Sequence, residues 1–214
     1  YYIIIIYSCV KIRKIIEMYR DARLSGEIAF FEALEYIRFN QFMMKPERIA
    51  RADKTGKPFE IGVSCAEDFL SVLEMYRVFS PKAASQGLPP EDAETCHNWV
   101  KNLFKIGENF LVWRGETVIG HAAAVPDPNG KSGEFVIFVD QNHRNVGIGT
   151  ELTRFALEKS RDVGFDSVWL TVNLTNFIAL KLYKKLGFEY SDMDKYERVM
   201  SIKLRLHEST ILQG

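Results

Sequence analysis

Cysteine is scarce in this sequence, neither sign of charge is in excess, and no apolar run is long enough to span a bilayer. The three cysteines, Cys9, Cys65 and Cys96, lie far apart with no Cys-x-x-Cys pair. The four histidines include no pair at metal-ligand spacing. That pattern excludes a disulfide framework and a zinc site, so no metal is expected, and free thiols suit a reducing, cytoplasmic setting. Twenty-eight basic residues cancel twenty-eight acidic ones, which gives no electrostatic case for a nucleic-acid or membrane-surface partner. The strongly apolar start, Tyr1 to Val10, meets Lys11, Arg13 and Lys14. It is too short for a membrane span and has no basic segment before it, so neither a span nor a signal peptide is expected.

What is present is apolar residue in quantity, 47% of 214 residues, enough to build the core of one domain with an appendage. Ile12, Ile15, Ile16 and Tyr19 fall on one helical face, and a second helix is expected from Glu27 to about Met44. The apolar residues of that second helix spread round most of its circumference, so it buries more than one side. Both helices must pack on their own domain or form a homodimer seam. Lys45 to Pro58, with its proline, glycine and charges, reads as a linker. The division expected is therefore a helical extension with linker over residues 1–55 and a main domain over 56–214.

In the main domain the pattern gives a strand at Phe59 to Ser64, then helices at Ala66 to Phe79 and Glu91 to Lys105. Asn109 to Arg114 and Thr117 to Val125 form a hairpin about Gly115-Glu116. Five apolar residues, Phe135 to Val139, suit a strand buried on both faces. A helix follows, with Ile148, Leu152, Phe155 and Ala156 inward and Gly164 as its stop. Ser167 to Val172 is β-branched strand. Thr175 or Asn176 then caps a helix running to Leu186, with Gly187 beyond it. Phe188 onward and Tyr196 to Leu206 close the order with two strands. The sum is a mixed α/β layer.

The chemistry centres on Arg144-Asn-Val-Gly147-Ile-Gly149-Thr150, where a buried strand hands over to a helix. The first N–H groups of that helix lack partners within it and carry the positive end of its dipole. Without side chains at 147 and 149, a diphosphate can approach the backbone closely. Leu152 stands where a dinucleotide fingerprint needs its third glycine, and no Gly-Lys-Ser/Thr follows. Both of those nucleotide loops are excluded.

Two motifs then carry a resemblance: Arg144-x-x-Gly147-x-Gly149, and Asn173-x-x-Asn176-x-x-Ala179-Leu-x-Leu-Tyr183-Lys-Lys-Leu-Gly187-Phe188. Together they resemble the GCN5-related N-acetyltransferase superfamily over roughly residues 59 to 206. The resemblance implies an α/β (α+β) fold with a mixed, mostly antiparallel central sheet and helices on both faces. It implies acetyl-coenzyme A as co-substrate, held by Arg144, Asn145, Val146, Gly147, Ile148, Gly149 and Thr150. It also implies that the strand before the turn splays from its neighbour and offers backbone groups at Phe138 and Val139 to the pantetheine arm. Asn176 either contacts the coenzyme or simply caps its helix. Lys181, Lys184 and Lys185 either help the outer phosphate or line a solvated face, and His143 sits where it could touch phosphate.

Acetyl transfer from a thioester needs an uncharged amine, yet a lysine ammonium loses its proton only near pH ~10.4, so a base must take it. Glu134, opening the apolar strand, is the candidate; the resemblance places that role on a glutamate here in branches acting on protein lysine, and one residue earlier, at Gly133, in others. His121 is the rival base. Tyr183 matches the family residue that protonates the departing thiolate, and its other reading is a core aromatic. No cysteine falls in either motif, which favours direct attack over an acyl-enzyme. The acceptor implied is a primary amine, protein lysine first and a small amine second, shaped by loops at Ser80 to Pro90 and Tyr190 to Lys195. A reading of another class is a non-catalytic module that senses acyl-coenzyme A.

Overall fold

The computed structural model describes residues 46–80, 89–193 and 197–204. In chain order these form β1 (Ile49–Ala52), β2 (Pro58–Val63), α1 (Phe69–Arg77), α2 (Ala93–Ile106), β3 (Glu108–Arg114), β4 (Thr117–Pro126) and β5 (Ser132–Val139). Then come α3 (Ile148–Asp162), β6 (Ser167–Asn173), α4 (Phe177–Lys185), β7 (Glu189–Met193) and β8 (Glu197–Lys203). The eight strands make one sheet in the order β1-β2-β3-β4-β5-β6-β8-β7. Every neighbouring pair is antiparallel except β5 and β6. This is the mixed, mostly antiparallel sheet expected.

Alternation along the central strands divides the core into two layers, because successive strand residues face opposite ways. Phe110 and Val112 of β3 join Phe135 of β5 in a cluster with Ile148, Leu152 and Phe155 of α3 and Leu180 and Tyr183 of α4. Leu111 and Trp113 of β3 and Phe138 of β5 join a second cluster with Val72, Met75 and Tyr76 of α1 and Val100 of α2. So α1 and α2 cover one face and α3 and α4 the other. Phe135 to Val139 read as continuously apolar because both faces of β5 are used. The helix ends follow local chemistry. Asp92 caps α2 by accepting from the Thr95 N–H at 2.7 Å, and Gly164, at φ +103, ends the turn after α3 where a side chain would be strained.

One expectation fails here. Within the stretch read as linker, Ile49–Ala52 is an edge strand, paired antiparallel with β2 from Ile49↔Ile61 to Ala52↔Pro58. It reads as a linker because Pro46, Gly56 and many charges surround it; three of its four residues face solvent, as an edge strand's can. The turn that follows is built on buried Asp53, whose Oδ1 accepts from the N–H of Thr55 at 2.8 Å and of Lys57 at 3.1 Å. Gly56 supplies the positive φ, +82. The compact unit containing the sheet accordingly begins at Glu47, before the boundary expected at residue 56. The helices expected over residues 12–44, with their dimer seam, and the loop 81–88 lie outside the described residues. Among the described residues no helix is long and apolar enough to cross a membrane.

Candidate active site

The centre of the sheet opens along one edge of β5. β4 and β5 stay paired from Pro126↔Gly133 to Gly120↔Val139, whereas β5 and β6 share only Ser132↔Ser167, Gly133↔Val168 and Glu134↔Trp169. Beyond that rung β6 continues with β8 alone, and a cleft separates it from the rest of β5. Which backbone groups face the cleft follows from one bond, the Asp140 N–H donating to Ile119 O at 2.9 Å. It fixes the phase of the antiparallel ladder, so Glu134, Val136 and Phe138 spend their backbone groups on β4, while Phe135, Ile137 and Val139 direct theirs to the other side, where the last rung with β6 takes the Phe135 N–H and Arg144 takes the Val139 carbonyl. The expectation for Phe138 is therefore corrected. Its ring is buried among Tyr76, Phe79 and Trp99 at 5.6–5.7 Å, and its peptide belongs to β4. Ile137, two positions before Val139, turns its peptide to that side instead, which only ladder phase could have found.

At the far end of the cleft stands the glycine turn. Gly147, at φ +97, is the N-cap of α3, and Asn145 is the one non-glycine described residue with positive φ, +64. Gly147 O accepts from the Thr150 N–H at 3.0 Å and the Glu151 N–H at 3.2 Å. The amides of Gly147, Ile148 and Gly149 remain as the outward donors, and that of Thr150 does not. A Cβ placed on Gly149 would touch Val139 Cγ2 at 3.7 Å and Leu182 Cδ2 at 3.8 Å, so this glycine opens on the passage between the end of β5 and α4. The open strand edge, the passage and the three amides together fit an extended arm that ends in a diphosphate. Val146 turns its side chain against the core and its carbonyl to the Lys54 N–H at 2.9 Å.

Arg144 does not offer its guanidinium to this concavity. Nε donates to Val139 O at 2.9 Å and Nη2 to Ser80 O at 2.7 Å, while the group lies 5.0 Å from the Phe79 ring. Gln141 reinforces the brace: its side chain donates to Val78 O at 3.0 Å and accepts from the Ser80 N–H at 2.9 Å. The end of β5 is thus tied to the chain that leaves α1. His143 Nδ1 pairs with the Asp140 carboxylate at 2.8 Å.

Helix α4 flanks the passage. Asn176 is its cap, its side-chain oxygen accepting from the Ala179 N–H at 3.2 Å. Tyr183 is 8% exposed, packed at 5.5 Å from Phe188, and burial pushes its phenol well above the usual range. Its hydroxyl has no hydrogen bond among the described residues, and the one sealed, unpartnered side-chain polar atom among them is Ser160 Oγ. The Tyr183 hydroxyl is therefore not fully sealed from solvent, and burial keeps it protonated. Lys184 rests on the Tyr190 ring at 4.7 Å.

Glu134 occupies the last rung shared by β5 and β6. Burial, and after it the charge of Asp127, raise its carboxyl above the ordinary glutamate value. Asp127 is held there by Ser132, whose hydroxyl donates to it, and by Trp169 Nε1, which donates at 3.3 Å. Neighbouring Gly133 faces the opposite layer, and a Cβ there would stand 2.9 Å from the Phe165 ring, so no glutamate fits one position earlier. His121 is not beside Glu134: its register partner is Phe138, and that of Glu134 is Val125. The imidazole is wholly buried, with Nδ1 2.8 Å from the Tyr76 hydroxyl and Nε2 2.9 Å from Asn109 Oδ1. Asn109 gives its amide hydrogens to Leu103 O and Gly107 O, so Nε2 carries the proton and Nδ1 accepts from Tyr76. Burial lowers its pKa to about 3. His121 is a structural residue, not a base.

Residues 70–188, more than half of the chain, match the acetyltransferase (GNAT) family. The chain belongs to that family. It is similar to a mycothiol acetyltransferase of Parafrankia sp., 30% identical over 67% of this chain and 48% of that protein. It spans less than half the length of such relatives, human N-acetyltransferase 8 included, where the match covers 35% of that protein. The fold is that of the GNAT domain of S. lividans PAT, with TM-score 0.63 and 14% identity over 73% of this chain and 97% of that one. Salmonella typhimurium yncA, solved with its cofactor acetyl-CoA, superposes with TM-score 0.56 and 15% identity, covering 71% and 96% of the two chains.

Proposed function

We propose that this chain is an acetyl-coenzyme A-dependent N-acetyltransferase that modifies a primary amine, protein lysine in first place, by direct attack in a ternary complex. The observation that supports it best is the parting of β5 from β6 beyond Glu134↔Trp169, with the α3 amides at the end of the cleft. Acetyl-coenzyme A, when bound, supplies the thioester. The chain supplies its placement: the peptide of Ile137 and the N–H of Val139, whose carbonyl Arg144 occupies, bond an amide-bearing arm as a missing strand would, and the amides of Gly147, Ile148 and Gly149 hold the diphosphate.

Glu134 takes the proton from the incoming ammonium, a task to which its raised pKa suits it. Tyr183 stays protonated across the working range and gives its proton to the leaving thiolate. Neither described cysteine is placed for an acyl-enzyme: Cys96 is buried on the inner face of α2, and burial followed by Asp68 raises the thiol of Cys65. The lysine preference rests on the exposed setting of Glu134 at an open sheet end, which suits a side chain presented by a folded protein. Thiol release from acetyl-coenzyme A, measured with lysine peptides, peptides with a free N-terminus and small amines, tests it. The lysine peptides are expected to turn over fastest; tight coenzyme binding with no release on any amine would instead make the chain a sensing module.

A further inference from the structure

We infer that Lys54, in the β1–β2 turn, supplies the cation for the coenzyme diphosphate, an inference that rests on the acetyltransferase reading above. The turn docks on the cradle through its backbone, the Lys54 N–H donating to Val146 O at 2.9 Å. Its side chain then runs across Gly147. A Cβ placed there would meet Lys54 Cγ at 3.3 Å, Cε at 3.4 Å and Cδ at 3.7 Å, so the lysine stem fills the volume that glycine leaves empty. Lys54 Cε, the carbon that bears the ammonium, thus stands beside Gly147, the first of the three outward amides.

The cradle needs a cation from elsewhere. A diphosphate carries negative charge that three neutral amides stabilise only in part. The turn's own basic groups are engaged: Arg144 on Val139 O and Ser80 O, His143 on Asp140. The first turn of α3 bears an acid, Glu151, paired with Arg154. Lys54 is exposed and has no ion pair among the described residues.

Its backbone is also pre-set, which limits the entropy lost on binding. Asp53 accepts from Thr55 Oγ1 at 2.6 Å and from the N–H groups of Thr55 and Lys57, and pairs with Arg114 of β3. The hydrogen bond from the Thr55 hydroxyl, then the Arg114 guanidinium, hold the Asp53 carboxyl well below the usual range, so it stays ionised as the anchor of the turn.

The test compares affinities of the full chain, its Lys54→Met variant and its Lys54→Arg variant for three thioesters. These are acetyl-coenzyme A, the same molecule lacking the 3′-phosphate, and acetyl-pantetheine, which has no diphosphate. Loss of one screened charge contact predicts about three- to tenfold weaker acetyl-coenzyme A binding for Lys54→Met, recovered in Lys54→Arg. The loss should persist without the 3′-phosphate and vanish for acetyl-pantetheine. Equal acetyl-coenzyme A binding by Lys54→Met and the unmodified chain overturns the inference while leaving the acetyltransferase reading intact. So does a loss that extends to acetyl-pantetheine, which would mark Lys54 as a support of the loop, or one that disappears with the 3′-phosphate. Failure of the unmodified chain to bind acetyl-coenzyme A overturns both.

Discussion

Glu134 and Trp169 face one another across the last rung that β5 and β6 share. On one side of that rung the sheet is continuous and Asp127 is clamped by Ser132 and Trp169. On the other side the strands part, and Ile137 and Val139 turn their peptides to the opening. A carboxylate at the apex of such a cleft sits between bulk water and the place where a thioester would lie. Its protonation is set by both.

For that reason Glu134→Gln should lower turnover by a factor on the order of 10² to 10⁴, the usual weight of a positioned base. Coenzyme affinity should be kept. In the unmodified chain kcat/KM should rise with pH as Glu134 loses its proton, and its raised pKa should place that rise above the ordinary glutamate range. Asp127→Asn removes a neighbouring negative charge, so the rise should move to lower pH. A rate profile that stays in place would separate Glu134 from proton transfer.

Tyr183→Phe keeps the packing against Phe188 and deletes only the hydroxyl. We expect unchanged thermal stability and coenzyme affinity, with turnover on a lysine peptide reduced by about 10². Acetyl donors with a more acidic leaving thiol should recover part of the loss. Equal losses on all donors would leave Tyr183 a packing residue.

Gly149→Ile places a branched side chain in the passage between Val139 and Leu182. Binding of acetyl-coenzyme A, followed by calorimetry, should weaken at least about tenfold, since the arm and the side chain would compete for one space. The melting temperature should change little, because the substitution lies in the first turn of α3. Full affinity in a folded Gly149→Ile protein would move the cradle elsewhere.

Stability carries its own pH signature. His121 is neutral when folded, with a pKa of about 3, and has an ordinary value near 6.5 when unfolded. The unfolded chain therefore binds a proton that the folded one refuses. The stability this group contributes is complete above pH 6.5 and lost progressively as pH falls toward 3. Urea unfolding between pH 7 and 4 should show that decline in the unmodified chain and a shallower one in His121→Gln. Tyr76→Phe, which strips Nδ1 of its donor, should cost about 1–3 kcal/mol at neutral pH.

Gly133→Ala tests the register of β5. Its methyl would meet the Phe165 ring at 2.9 Å and Val125 O at 3.2 Å, and overpacking of that kind costs about 1–3 kcal/mol. A Gly133→Ala protein as stable as the original would place the two strand faces the other way round.

Much of the site was legible locally. The strand, glycine turn and helix at 135–162, the Asn176 cap and the stop at Gly164 each follow from residues a few positions apart. Such neighbours decide backbone propensity and the fate of end groups. The two motifs also placed the chain in its family. Distance in the sequence is where that legibility stopped. Ladder phase gives the cleft to Ile137 rather than Phe138; it is set by the pairing of β5 with β4, not by any property of residue 138. His121 looked like a base until Tyr76 and Asn109 closed on both its nitrogens. Arg144, although part of the family motif, is drawn inward by two carbonyls.

The sequence by itself determined the kinds of element, their order and the backbone donors at the start of α3. These depend on side-chain period, on glycine's freedom and on hydrogen bonds that close within one turn. Only the tertiary structure decided that Ile49–Ala52 is an edge strand, that its turn rests on Val146, and that the Lys54 stem covers Gly147. The last two contacts join stretches roughly ninety residues apart, and a packed core must form before they can be made.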